Sequence, residues 1–391
     1  MTLQLPERLR ALLEPDYPRF SDAEMARRRA LVTQAMEKAG VDHLVFYGAS
    51  WAGSVVQWLT RWPVTTEAAG VFTPGRRDRM FIHYYNHLPL ARRLADETDV
   101  EWAGESAAAR LVEELGARGA KPGRVGLIGA LGHEAHAALT ERFGRIVSLG
   151  RAWVEMRRVK SAEELDWYRI GAWFSDLGMA ALRDHARPGI SERELANEIE
   201  RAYVGLGGRT VIHFIGSTPM ENPSVAAPAQ FASARKLQAG DVVFSEISAD
   251  LLEHSGQVLR SFSLGEPNAL YRDLHAAADA AFDAMIGVLR AGARPADVIA
   301  ASGVIEEAGF TTIDDILHGY GGGYFPPVLG SRSRPNPLVP DEPFVAGQLV
   351  VVQPNVVTKD GRAGVQTGEM VLVTETGTER MHQMPRGFVT L

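Results

Sequence analysis

One spacing limits what this chain can become. Gly240 and Gly347 each open an apolar run, and each run carries a polar residue six places after its glycine, Glu246 in the first and Gln353 in the second. From glycine to glycine and from polar residue to polar residue, the offset is 107 residues. The pairs Arg187-Pro188 and Arg294-Pro295 keep the same offset, and each introduces a helical pattern. One offset shared by three landmarks predicts a duplicated helix-helix-strand-strand unit. Two such units facing each other place Glu246 and Gln353 on opposite walls of one cleft, and the chemistry is expected there.

A chain of 391 residues exceeds what one core organises, so two domains are expected. A net charge of −7 without runs of either sign argues against nucleic acid and anionic membranes as partners. With no cysteine, disulfides, thiolate metal sites and cysteine nucleophiles are excluded, which fits a reducing compartment. The opening MTLQLPERLRALLEPDY lacks the basic start and apolar stretch of a signal peptide, and no apolar run approaches the ~20 residues of a membrane span. A soluble, cytoplasmic protein is expected.

The first part of the chain alternates strand and helix. Ser21 caps a helix that should stop near Gly40; His43–Gly48, Arg79–Tyr85 and Val125–Ile128 read as strands, with helical patterns between them. This predicts an α/β layer of its own. Two loops in it are rich in aromatic residues. One, Ser50–Glu67, holds Trp51, Trp58, Arg61 and Trp62; the other is Tyr84-Tyr85-Asn86-His87. They either pack in a core or form a wall lent to an active site, a neighbouring subunit's included.

In the second part, Ser161-Ala-Glu-Glu164 and Ser191-Glu-Arg-Glu194 have capping-box spacing at the head of two helices. Strands follow at Arg209–Gly216, Asp241–Ala249 and Ser255–Leu264. A long Ala-rich helix runs from Asn268 to Leu289 and a shorter one over Ala296–Ala308. The glycine-rich HGYGGG, 318–323, precedes the strands Gln348–Val357 and Ala363–Glu375. Paired helices with antiparallel strand pairs make this half α+β.

The segments MRRVKSAEELDWYR (156–169), RPGISERELANEIE (187–200), AGDVVFSEIS (239–248), HGYGGG (318–323) and EMVLVTETGTE (369–379) resemble the creatinase/aminopeptidase P/prolidase superfamily. The resemblance covers essentially the whole chain. It implies an α+β class: a pita-bread catalytic domain with an internal pseudo-twofold repeat over 156–391, preceded by an α/β creatinase-type N-terminal domain over 1–155. A homodimer is expected by the same analogy.

Metal-dependent members of that superfamily hold two divalent cations with two Asp, one His and two Glu side chains, the anionic oxygen donors such ions require. Matched position by position, the two Asp become Glu246 and Gln257, the His is kept as His318, and the two Glu become Gln353 and Gly368. A second family histidine is replaced by Phe325. Shifting the register by one residue would offer Glu369, and the set would still be too small. One carboxylate and one imidazole cannot hold two dications against their mutual repulsion, so no metal pair and no other cofactor is expected, with single weak occupancy by Glu246 and His318 left as the alternative. Creatinase shows that this scaffold can hydrolyse a C–N bond without metal, but the match to it is incomplete. Glu221 stands at its histidine position, within Met220-Glu221-Asn222-Pro223, and Leu259 and Thr367 stand at its guanidinium-gripping glutamates.

Attack on a C–N bond without metal hydroxide needs a placed base and an acid for the leaving nitrogen. Glu246, Glu221 and His318 are the catalytic candidates. A Glu in a shielded cleft has its proton affinity raised toward neutrality. A structural salt bridge from Glu246 to Arg260 is the competing role. The substrate-binding candidates are Arg260, Gln257, Gln353, Gln366, Tyr320, Tyr324, His254 and Trp62. Arg260 offers a planar fork for a carboxylate, and the glutamines orient a polar ligand without the cost of burying an ion. Each has a packing role as its alternative. The expected function is metal-independent hydrolysis of an amide or amidine bond in a small polar metabolite. A lyase on the same scaffold, a metal-dependent Xaa-Pro peptidase and a non-catalytic binding protein are the alternatives.

Overall fold

The computed structural model describes residues 3–49 and 55–391, so Ser50 and Trp51 of the first aromatic loop lie outside the described residues. Two compact units divide the chain. One is Pro15–Arg157; the other is Arg158–Leu391 together with the leading residues through Glu14. The opening segment thus joins the larger unit rather than the domain it precedes. Leu5 and Leu9 are buried, and the indole of Trp173 donates to the Leu3 carbonyl at 3.4 Å.

In the smaller unit a six-stranded sheet runs in the order Thr98–Trp102, Asp78–Ile82, Glu67–Phe72, His43–Ala49, Val125–Ile128, Ile146–Ser148. The helix Asp22–Ala39 begins at Ser21, whose hydroxyl accepts from the Glu24 amide, and stops at Gly40 in the left-handed region. Trp58 and Trp62 are core residues. Trp58 meets Trp153 edge-on at 5.0 Å, and Trp62 is 2% exposed among the apolar side chains of the unit. The expectation that Trp62 binds substrate is therefore corrected: packing has consumed its surface. Tyr84 and Tyr85 are exposed.

The larger unit starts with the helices Ala162–His185 and Glu192–Val204. Both carry the reciprocal capping box, with Ser161 and Ser191 bonded to the third helical residue and the Glu there bonded back. The sheet runs in the order Tyr324–Leu329, Leu317–Tyr320, Leu349–Val352, Gly368–Val373, His254–Ser263, Asp241–Leu251, Arg209–Pro219; Thr378–Arg380 and Val389–Thr390 pair at its side. The strands Asp241–Leu251 and His254–Ser263 are buried along their whole length.

The duplication is visible in the backbone. Gly240 has φ 84° and Gly347 φ 86°, a conformation that costs a residue with a Cβ dearly, and each opens a strand of the sheet. The second copy is the more irregular. Its strand ends at Val352, so Gln353 lies just beyond it, and the expected helix over 296–308 is split into Pro295–Ala301 and Val304–Glu307. Pro295 occupies the first helical turn, where its missing N–H costs nothing. No helix among the described residues is long and apolar enough to cross a membrane.

Candidate active site

A two-residue turn, Leu252-Glu253, fixes the register around which the site is built. Both residues have positive φ, 47° and 71°, and the turn pairs Leu251 with His254, hence Glu246 with Leu259, Ser248 with Gln257 and Ser245 with Arg260. Residues paired across strands share a face, so Glu246 and Gln257 lie together and Arg260 points the other way. The side chains agree with that register. Gln257 Nε2 donates to Glu246 Oε1 at 2.6 Å and to Gln353 Oε1 at 3.1 Å. Gln353 Nε2 in turn donates to Asp315 at 3.3 Å. The two expected walls are therefore joined by a string of amides.

His318 is buried on its short strand. Its Nδ1 lies 2.8 Å from the Gly319 carbonyl, which only accepts, so Nδ1 carries the proton and Nε2 keeps its lone pair. The ring of Tyr324 lies 4.3 Å from that of His318 at 30°, and the phenol donates to Asp315 at 2.6 Å. Asp314 accepts from Asn355 Nδ2 at 3.1 and 3.2 Å. Asp314 and Asp315 carry no expectation from the sequence; they sit in the irregular stretch before the His318 strand, only three and four residues ahead of that histidine.

Burial, reinforced by the charges of Asp314 and Asp315, pushes the Glu246 carboxyl up to about 8. Burial and the adjacent Asp315 raise Asp314 to about 7. Burial lowers the proton affinity of His318, which Asp315, the Gly319 carbonyl and a hydrogen bond with the Gln353 side chain partly restore. Near neutral pH the arrangement offers a protonated Glu246 and an unprotonated imidazole.

Several expectations are corrected. Glu221 is exposed on the turn after Arg209–Pro219 and has no hydrogen bond to Glu246 or His318. Arg260 neither pairs with Glu246 nor awaits a substrate carboxylate, because all five of its N–H donors are used. They reach the carbonyls of Leu259, Gly368, Met384 and Pro385 and the Glu369 carboxylate at 2.6–2.8 Å. Burial alone would raise Glu369, but the hydrogen bond from Arg380 and the charge of Arg260 hold it at about 2. Tyr320 donates to or accepts from Ser255 at 2.7 Å, and burial pushes its phenol up to about 12, so it packs rather than titrates. His254 Nδ1 meets the Leu252 carbonyl at 2.9 Å, and its ring packs edge-on against Trp167 and Tyr168. Gln366 is not among these corrections: its backbone is held through Ser261, and its Oε1 is buried without a hydrogen-bond partner.

Residues 167–375 match the family model described as Metallopeptidase family M24. The creatinase of Bacillus sp. is 24% identical over 392 aligned positions, covering 95% of this chain and 93% of that protein. The probable dipeptidase PepE of Mycobacterium tuberculosis is 28% identical over 246 positions, 60% of this chain and 61% of that protein. The Xaa-Pro dipeptidase from Bacillus anthracis superposes with a TM-score of 0.79 at 18% identity, over 94% of this chain and all of that one, a likeness of fold.

The metal that the name of the model implies needs several anionic oxygens and imidazoles converging on one point. The donor set here does not supply them. Gln257 and Gln353 bind each other, and a Cβ on Gly368 would lie 2.5 Å from the Val352 carbonyl oxygen, leaving no room for a carboxylate side chain. Among the described residues no three His, Asp or Glu side chains gather as an ion-holding group.

Proposed function

The chain belongs to metallopeptidase family M24, within the creatinase, aminopeptidase P and prolidase superfamily, and from that premise we propose that it hydrolyses a C–N bond, amide or amidine, in a small polar metabolite without a metal. The relatives named creatinase and dipeptidase support a hydrolase on this scaffold. The single observation that carries the metal-free reading is the run of side chains from buried Glu246 through Gln257 and Gln353 to His318, whose Nδ1 proton is held by the Gly319 carbonyl.

In this reading His318 is the base and Glu246 the acid. The oxygen of a water bonds to the carbonyl or amidine carbon while its proton passes to Nε2. The C–N electron pair then leaves on nitrogen, which takes the Glu246 proton, and the imidazolium returns a proton to Glu246 through solvent. Gln257, by donating to Oε1 of Glu246, directs the proton to Oε2. General acid–base help of this kind contributes about 10²–10⁴-fold.

The test is to screen chelator-treated protein against small amides and amidines in isotopically labelled water. Release of the amine with label in the product, unaffected by chelator, is the expected result. Activity that vanishes with chelator and returns with a divalent ion would overturn it, and product without label would mean elimination instead.

A further inference from the structure

Two acids of the cleft have no part in that proton transfer. Asp314 and Asp315 are partly buried, and among the described residues neither they nor Glu246 form an ion pair with a lysine or arginine. Their hydrogen-bond donors are neutral: Asn355 for Asp314, Gln353 and Tyr324 for Asp315. Adjacent carboxylates that are poorly solvated repel one another; the charge of Arg334 eases Asp314 only in part, and a cation bound directly to the pair would relieve the rest. A second feature points the same way. Glu246 pairs with Leu259 and Leu259 with Gly368, which puts Gln366, two residues earlier, on the Glu246 face of the sheet. Its Oε1 is buried without a partner, a lone acceptor waiting for an N–H.

A third feature concerns access. His318 is 1% exposed, yet the base must meet water and substrate. Tyr324, 61% exposed, lies against it, its ring held at the imidazole by the phenol–Asp315 bond, and the Gln353 side chain also hydrogen-bonds the imidazole. The chain leading into Tyr324 passes through Gly322 and Gly323, at φ 80° and 125°.

We propose that Asp314 and Asp315 receive a cationic, N–H-bearing group of the substrate, an amidinium or ammonium, and that its arrival draws Asp315 from the Tyr324 phenol and uncovers His318. A charged donor outcompetes a phenol for a carboxylate, because charge-assisted bonds are about twice as strong as neutral ones. The recess would then select the substrate and open the site in one event. The inference rests on His318 being the base, but it can be tested without turnover.

The experiment follows the carbethoxylation of His318 by diethyl pyrocarbonate, quantified on the peptide that contains it, in the full-length protein. Acetamidinium is expected to accelerate the modification several-fold, and acetate, with the same shape and opposite charge, to leave it unchanged. Tyr324→Ala should be fast with no addition, and Asp315→Asn should lose the response to acetamidinium. Equal acceleration by acetate, or acceleration by manganese ion that matches acetamidinium, would overturn the proposal. So would an unchanged rate with acetamidinium in the wild-type protein, a comparison that depends on no variant. If His318→Asn keeps full turnover, the catalytic reading fails while the uncovering stands or falls on the labelling alone.

Discussion

Glu246 and Gln353, 107 positions apart and each six residues beyond a left-handed glycine, are bridged by a single nitrogen, Nε2 of Gln257. In a metal-binding cleft these positions would repel each other until an ion came between them. Here an amide with two hydrogens satisfies both, and the cleft is closed by hydrogen bonds rather than by charge.

Removing the acid should stop the chemistry without harming the fold. Glu246→Gln is expected to lower kcat by about 10²–10⁴-fold, since an amide cannot give up a proton to the leaving nitrogen. The same variant should melt at or above the wild-type temperature, because a buried amide costs less than a buried carboxyl that must stay protonated. Steady-state rates and a thermal melt check both halves.

The pH profile should be bell-shaped. The alkaline limb falls as Glu246 loses its proton through about 8, and the acid limb falls below the ordinary imidazole range, where His318 at last becomes charged. Stability should follow the same proton. Glu246 binds it more tightly folded than unfolded, so stability is fully present below the ordinary value of 4.5 and declines as pH rises through about 8. Asp314 adds to that decline up to about 7. Denaturant midpoints measured across that window should drop with pH, and Glu246→Gln should flatten the slope.

Arg260 and Glu369 should behave as a structural pair. Truncating Glu369 to Ala leaves the buried Arg260 guanidinium without its carboxylate, which costs about 3–5 kcal/mol, while Arg260→Ala costs less because Arg380 still pairs with Glu369. Since Glu369 is held at about 2, its contribution is present above the ordinary 4.5 and is lost as pH falls toward 2. A chemical denaturation series on Glu369→Gln should show the acid sensitivity disappear, while KM of the surviving fold stays unchanged.

Glu221→Ala should be silent. The side chain is exposed and outside the hydrogen-bonded cleft, so the expected change in stability is within about 0.5 kcal/mol and turnover should match the wild type. A large loss of kcat would return Glu221 to the mechanism.

Glycine spacing made the duplicated frame and the positions of Glu246 and Gln353 legible, because it is a local signal, whereas Gln257 and His318 were marked only by the family resemblance. Arg260 was misjudged for want of a register. A two-residue turn with both φ positive is usually marked by Asn-Gly, and here it is built from Leu252-Glu253, so nothing announced which residues of the hairpin face each other. Once that turn is known, alternation alone turns Arg260 away from Glu246. Asp314 and Asp315 were missed for another reason: they lie in no periodic element, and their approach to Glu246 arises only when the second repeat folds onto the first. Trp62 illustrates the converse, an aromatic residue whose neighbours in sequence suggested a binding wall and whose neighbours in space are a core.

The bare α-carbon of Gly368, pressed against the backbone at Val352, limits which side chains this position can accept. A carboxylate there would first require two neighbouring strands to part, so no single substitution at Gly368 supplies a coordinating group without moving the backbone.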